Sequence, residues 1–205
     1  VPALDATRPP TFVEQARRAQ ILDAAVEVIA DEGPVRATFA RIAERAGISP
    51  GLISYHFGSK AELFREVASR VSSWFTAALE ERIEGAESYA DALRRLVEAH
   101  VGLTTGGTPQ ARAVVALRGA ADIPGTGTTQ GERRDWIDQV ETMLREGQDG
   151  GEFADFEPRP LAMAIVAALE GAPADVGGRP DTDPAAYAKA LADVFVAAAV
   201  TPRSR

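Results

Sequence analysis

Three observations predict an all-α chain. Apolar residues recur at helical spacing in one segment after another, each segment is opened by a capping residue or a proline and closed near glycine or proline, and no stretch alternates apolar and polar residues as a half-buried strand does. With 205 residues, 45% of them apolar, the chain can bury the core of one compact helical unit or of a small domain beside a larger one. It has no internal repeat at a solenoid period.

Residues 1–10, with Pro2, Pro9 and Pro10, read as a disordered arm. Thr11-Phe12-Val13-Glu14 is a capping box that opens a helix with the stripe Ile21, Ala25, Val28 and Ile29, and Gly33-Pro34 ends it. Thr38 then caps a short helix on which Phe39, Ile42, Ala43 and Ala46 share one face. Gly47 stops that helix, because a glycine takes up the left-handed conformation without a Cβ clash. Ser49-Pro50 starts another at once, serine as N-cap and proline in the first turn. So short a link forces a sharp reversal.

The helix from Ser49 has two faces. Ile53 and Phe57, one turn apart, point to one side with Ile48 behind them; Gly51 and Tyr55 point to the other with Leu52 alongside. One side is core and the other is free to read a ligand. Gly51 permits close backbone approach, and the free N–H groups at the helix start suit a phosphate. Two short helices joined by a glycine turn, the second with an uncharged, hydroxyl-bearing outer face, have the layout of a helix-turn-helix DNA reader.

After the reader, Ser59-Lys60-Ala61-Glu62 is a second capping box, opening a helix with Leu63, Val67, Val71, Trp74, Phe75 and Leu79 that runs to about Gly85. Further helices are predicted over 88–104, 109–122, 129–146, 158–172 and 184–200, parted by loops such as Gly125-Thr126-Gly127. The division that follows is an arm at 1–10, a DNA-binding unit at 11–58 and a larger helical unit at 59–205.

Net charge is −8, yet residues 1–60 hold seven basic and seven acidic side chains, so the whole acidic surplus lies outside the reader. With no cysteine, disulfides and cysteine-ligated metals are excluded. No apolar run is read as reaching membrane-spanning length, so a cytoplasmic location without a membrane partner is expected. Two histidines and no strained serine turn leave no nucleophile–base pair, no phosphate-cradling glycine loop and no metal-ligand spacing. Neither an enzyme nor a cofactor or metal is expected.

The segment from Ala16 to Phe64 resembles the TetR-type one-component transcriptional regulators. The family's signature is met in order and spacing by Thr38, Ile42-Ala43, Ala46-Gly47-Ile48-Ser49, Gly51, Tyr55-His56-Phe57, Ser59-Lys60 and Leu63. It departs at Leu52-Ile53-Ser54, where the commonest family residues are Thr-Leu-Tyr. The resemblance implies a three-helix reader joined to a larger ligand-binding and dimerisation domain. It further implies a homodimer on a (pseudo)palindromic double-stranded operator, most simply a repressor released by a small-molecule effector. Activation by the same fold, and a helical partner-binding protein without DNA activity, remain as alternatives.

Three groups of residues follow as expectations. Thr38, Ser49, Ser54, Tyr55, His56 and Lys60 are expected on phosphates, Pro50, Gly51 and Leu52 on base edges, and Arg41, Arg45 and Lys60 as the surrounding positive charge. Trp74, Leu96, His100, Leu117, Arg118, Trp136, Val140 and Met143, with Leu93, Val97, Leu103 and Val114, are expected to line an effector pocket, mostly apolar with His100 and Arg118 as isolated polar groups. Leu161, Ile165, Ala168, Leu169, Tyr187, Leu191, Val194 and Phe195, on alanine-rich helices apolar beyond one chain's needs, are expected at a four-helix dimer interface.

Overall fold

The computed structural model describes residues 11–120, 123–124 and 130–200; the expected arm at 1–10 lies outside the described residues. Among the described residues there are nine helices and no strand: α1 (Phe12–Arg36), α2 (Phe39–Ala46), α3 (Pro50–His56), α4 (Lys60–Ile83), α5 (Tyr89–Thr105), α6 (Pro109–Arg118), α7 (Gln130–Asp149), α8 (Pro158–Gly177) and α9 (Pro184–Val200).

The starts of α1, α2, α4, α5 and α6 obey the capping chemistry. Thr11 and Glu14 form the full box, the Thr11 hydroxyl accepting from the Glu14 N–H at 3.3 Å and the Glu14 carboxylate from the Thr11 N–H at 2.6 Å. Ser59 accepts from the N–H of Glu62 at 3.1 Å and so starts α4. Gly33 does not end α1 outright: with φ 78° it breaks the helical path, and one further turn runs on to Arg36. At the other end of the chain α8 continues through Pro173 to Gly177 instead of stopping at 172, and α6 stops early, at Arg118, where the Gly119 N–H closes on the Val115 carbonyl at 3.0 Å.

Two apolar cores result. The first joins α1, α2, α3 and α4 around Ile21, Ile29, Ile42, Ile53, Phe57 and Phe64, and it takes in Leu103 from α5 and Val114 and Leu117 from α6. The unit at 11–58 therefore shares its core with α5 and α6 as well as α4. A three-helix unit of that size buries too little apolar surface by itself, and each large side chain fully buried contributes only about 1.5–3 kcal/mol. The second core joins α5, α7, α8 and α9 around Leu93, Val97, Leu144, Ile165, Leu169 and Phe195. Helix α5 is central and packs on α4, α6, α7, α8 and α9, whereas α6 lies along α1.

One expectation is corrected here. Helix α8 is long and apolar enough to cross a membrane by length and composition, with mean hydropathy 1.2. Its Leu161, Ala162, Ile165, Val166 and Leu169 are buried in the second core.

Candidate nucleic-acid interface and effector site

The turn between α2 and α3 is closed by Gly47 at φ 67°, with the Ile48 N–H bonded to the Ala43 carbonyl at 3.0 Å. Ile53 and Phe57 are buried under α3, while Ser49, Pro50, Gly51, Ser54 and Tyr55 are exposed and Leu52 is half-buried. The faces are those predicted. The Ser49 hydroxyl makes no capping bond and stays uncommitted, whereas Thr38 uses its own to accept from the Arg41 N–H at 3.3 Å. Ser54 reaches back to the Pro50 carbonyl at 3.5 Å. Tyr55, 38% exposed, meets the edge of His56 at 5.2 Å. Burial, and then the nearby Arg18 charge, lower the pKa of His56 below the ordinary histidine value.

The cations sit differently from the expectation. Arg45 is held by Glu27 at 3.0 Å and Asp31 at 3.1 Å, and Arg41 by Glu32 at 3.3 Å and Glu44 at 3.4 Å. Lys60 donates to the carbonyls of Pro34 and Val35 at 3.2 and 3.4 Å, lies over the Phe64 ring at 4.8 Å, and has its pKa lowered by burial. All three are anchored in the fold first. Arg36, at the end of α1, is exposed with no ion pair among the described residues.

Sequence reasoning missed Arg18. From α1 it donates to the His56 carbonyl at 2.5 Å, pairs with Glu66 on α4 and lies over Phe57 at 4.2 Å, so it fixes the end of α3. Nothing local marks it, because its partners are 38 and 48 residues away.

The expected effector residues are divided between the cores. Trp74 and Leu117, with Val114 and Leu103, pack in the first; Leu96, Val140, Trp136 and Met143, with Leu93 and Val97, pack in the second. His100 lies at the seam. Its ring stacks on Trp136 of α7 at 5.1 Å and 19° and meets Phe75 of α4 edge-on at 5.1 Å. Arg118, the last residue of α6, lies 4.7 Å over Phe75 and 6.0 Å from the Trp136 ring. Phe75 is a member that sequence reasoning left out of the site.

His100 is 0% exposed, and neither ring nitrogen has a hydrogen-bond partner among the described residues. Burial, with the Arg118 charge second, pushes its pKa down to about 3, so the ring is neutral at physiological pH. Burial also lowers the pKa of Arg118. Two open surface grooves, about 380 Å³ between α1 and α2 and about 590 Å³ between α5 and the start of α9, contain none of these four residues.

The expected dimer residues need a correction. Leu161, Ile165, Leu169 and Phe195 are buried in the protomer's own second core, against which Ala168, Tyr187 and Leu191 also pack. Of the eight, Val194 faces outward, at 62% exposure. Outward apolar residues include Met163, Ala164, Ala167 and Gly171 on α8, and Ala186, Ala190, Val194 and Ala197 on α9.

The model of the bacterial regulatory proteins of the tetR family matches residues 21–67, and that of the tetracyclin repressor-like C-terminal domain matches residues 86–198, more than half of the chain. The chain belongs to the TetR family. It is 39% identical over 92 residues to the HTH-type transcriptional regulator BetI 1 of Chromohalobacter salexigens, covering 44% of this chain and 45% of that protein. It is 30% identical over 170 residues to the A-factor receptor protein of Streptomyces griseus, covering 78% of this chain and 56% of that protein. The matches thus span about half the length of these curated relatives. A solved TetR-like transcriptional regulator from Rhodococcus sp. RHA1 superposes with a TM-score of 0.70 at 26% identity, over 93% of this chain and 98% of that one. TetR-family proteins are DNA-binding regulators and not enzymes, and the all-α reading with an N-terminal reader is that of the family.

Proposed function

We propose that this TetR-family chain is a repressor that binds a (pseudo)palindromic operator as a homodimer and releases it when a small molecule enters at the His100 seam. The observation that carries this reading is the placement of α6. Its Arg118 end lies beside His100, while its Arg112 donates to Asp31 of α1 at 2.8 Å, and Asp31 also holds Arg45 of α2. One helix thus touches both the seam and the reader, and a displacement at Arg118 is felt where α2 is fixed.

On DNA, one α3 per protomer enters the major groove, in half-sites about 34 Å apart. Pro50, Gly51 and Leu52 meet base edges, Leu52 against a thymine methyl, and Ser49, Ser54, Tyr55 and His56 meet phosphates. Thr38, Arg41, Arg45 and Lys60 flank them, the three cations giving part of their charge to the fold. The second copy docks on the outward face of Met163, Ala164, Ala167 and Gly171 with Ala190 and Val194, whose small side chains allow close helix approach.

Selection of bound duplexes from a randomised pool tests the reading, followed by a reporter promoter carrying the selected site. Inverted half-sites one turn apart and lowered transcription are expected. Absence of any enriched sequence, or raised transcription, overturns the repressor.

A further inference from the structure

The seam between the two cores holds a chemical imbalance. Arg118 makes no hydrogen bond or ion pair with any described residue, although it is mostly withdrawn from water and covered by the faces of Phe75 and Trp136. Two carboxylates act on it from a distance, Glu132 of α7 and Glu170 of α8, and Glu170 is already held by Arg133 at 2.9 Å. Beside Arg118 stands an imidazole at 0% exposure with both nitrogens unpartnered. Buried polar groups are normally satisfied, so nitrogens orphaned among the described residues, next to a guanidinium with no direct pair there, mark groups open to partners that a ligand brings.

We propose that the molecule entering this seam is an organic anion, a carboxylate set against Arg118 on an aromatic body that lies along Trp136 and Phe75 and reaches His100 with a hydrogen-bonding group. The proposal rests on the reading that the effector binds at the seam, and adds its chemical class. The charge follows from Arg118, which gains a direct hydrogen-bonded partner that Glu170 and Glu132 supply only at a distance, and which repels a cationic ligand in the same low-dielectric space. The aromatic body follows from the rings that line the seam, where Trp136 already stacks on His100 and Phe75 already faces Arg118, the contacts an aromatic ligand takes over. The hydrogen-bonding group follows from the neutral imidazole, which offers one donor and one acceptor at once.

Three probes with one body and different charge test this: benzoate, benzamide and benzylammonium, titrated against the full chain with tryptophan fluorescence as the readout. Benzoate is expected to bind about tenfold or more tightly than benzamide, the size of one charge-assisted contact, and benzylammonium weakest. Arg118→Gln erases that preference, Arg118→Lys keeps part of it, and His100→Phe weakens all three; melting curves of each variant confirm folding. Equal binding of the three probes, each still weakened by His100→Phe, overturns the anionic class and leaves the site standing. A benzoate preference that survives Arg118→Gln overturns the class in the same way. Binding of none of the three overturns the site, and the class with it.

Discussion

Arg112 of α6 donates to one carboxylate oxygen of Asp31 on α1 at 2.8 Å, while the other oxygen is taken by Arg45 of α2 at 3.1 Å. This exposed chain of charges is a polar link between the reader and α6, and it holds the Arg45 side chain against α1. Exposed pairs of this kind stabilise a fold little, but three helices share this one. Because Glu27 also holds Arg45, the double change Glu27→Gln with Asp31→Asn is expected to free it, raising affinity for non-specific DNA and steepening its salt dependence by about one phosphate contact. Fluorescence anisotropy at several salt concentrations reads the slope; an unchanged slope would remove Arg45 from the interface.

Lys60 stands between two roles. Its ammonium holds the Pro34 and Val35 carbonyls at the kinked end of α1, so Lys60→Ala should cost about 1 kcal/mol of stability and lower Tm by about 3 °C. If DNA affinity falls with no change in Tm, its work is at the phosphate and not in the fold.

Leu52, the side chain proposed to meet a base, is half-buried beside an exposed Tyr55. Leu52→Ala should alter which duplexes are enriched from a random pool, whereas Tyr55→Phe should weaken all duplexes alike. An enrichment profile that Leu52→Ala leaves untouched refutes the base contact.

His100 sets an acid dependence. Its folded pKa, about 3, lies below the ordinary histidine value of 6.5, so protons bind the unfolded chain preferentially. Stability is complete above pH 6.5 and falls as pH drops toward 3, by at most about 1.4 kcal/mol per pH unit. His56, also lowered, adds a part of its own. His100→Phe should therefore melt higher than the parent chain at neutral pH, having lost two orphaned nitrogens, and should show a shallower fall in Tm between pH 6.5 and 4.5. Equal slopes for the two chains would mean that the imidazole finds a partner or water.

Val194 and Ile165 separate the proposed interface from the core. Val194→Arg puts a charge on the outward face of α9 and should yield a folded monomer in sedimentation, while Ile165→Arg should fail to fold. A Val194→Arg chain that still sediments as a dimer would place the partner elsewhere.

Local physics made the helices, their caps and the two faces of α3 legible in the sequence. Thr11 with Glu14, Gly47 and the Ile53–Phe57 pair act within a few residues, and their spacing is their geometry. The reader was written there, together with its lack of charge between Gly47 and Ser59. Only the tertiary structure decided which cations are free, because Arg45, Arg112 and Lys60 find partners 14, 81 and 26 residues away. It also decided the inward face of α8 and α9. A helix apolar nearly all round carries no stripe to show which side is core, so Ile165 and Leu169 turned inward and the small residues outward according to what α5 and α7 offered. The seam at His100 belongs to the same class of fact: four helices bring Phe75, His100, Arg118 and Trp136 together, and no spacing along the chain records it.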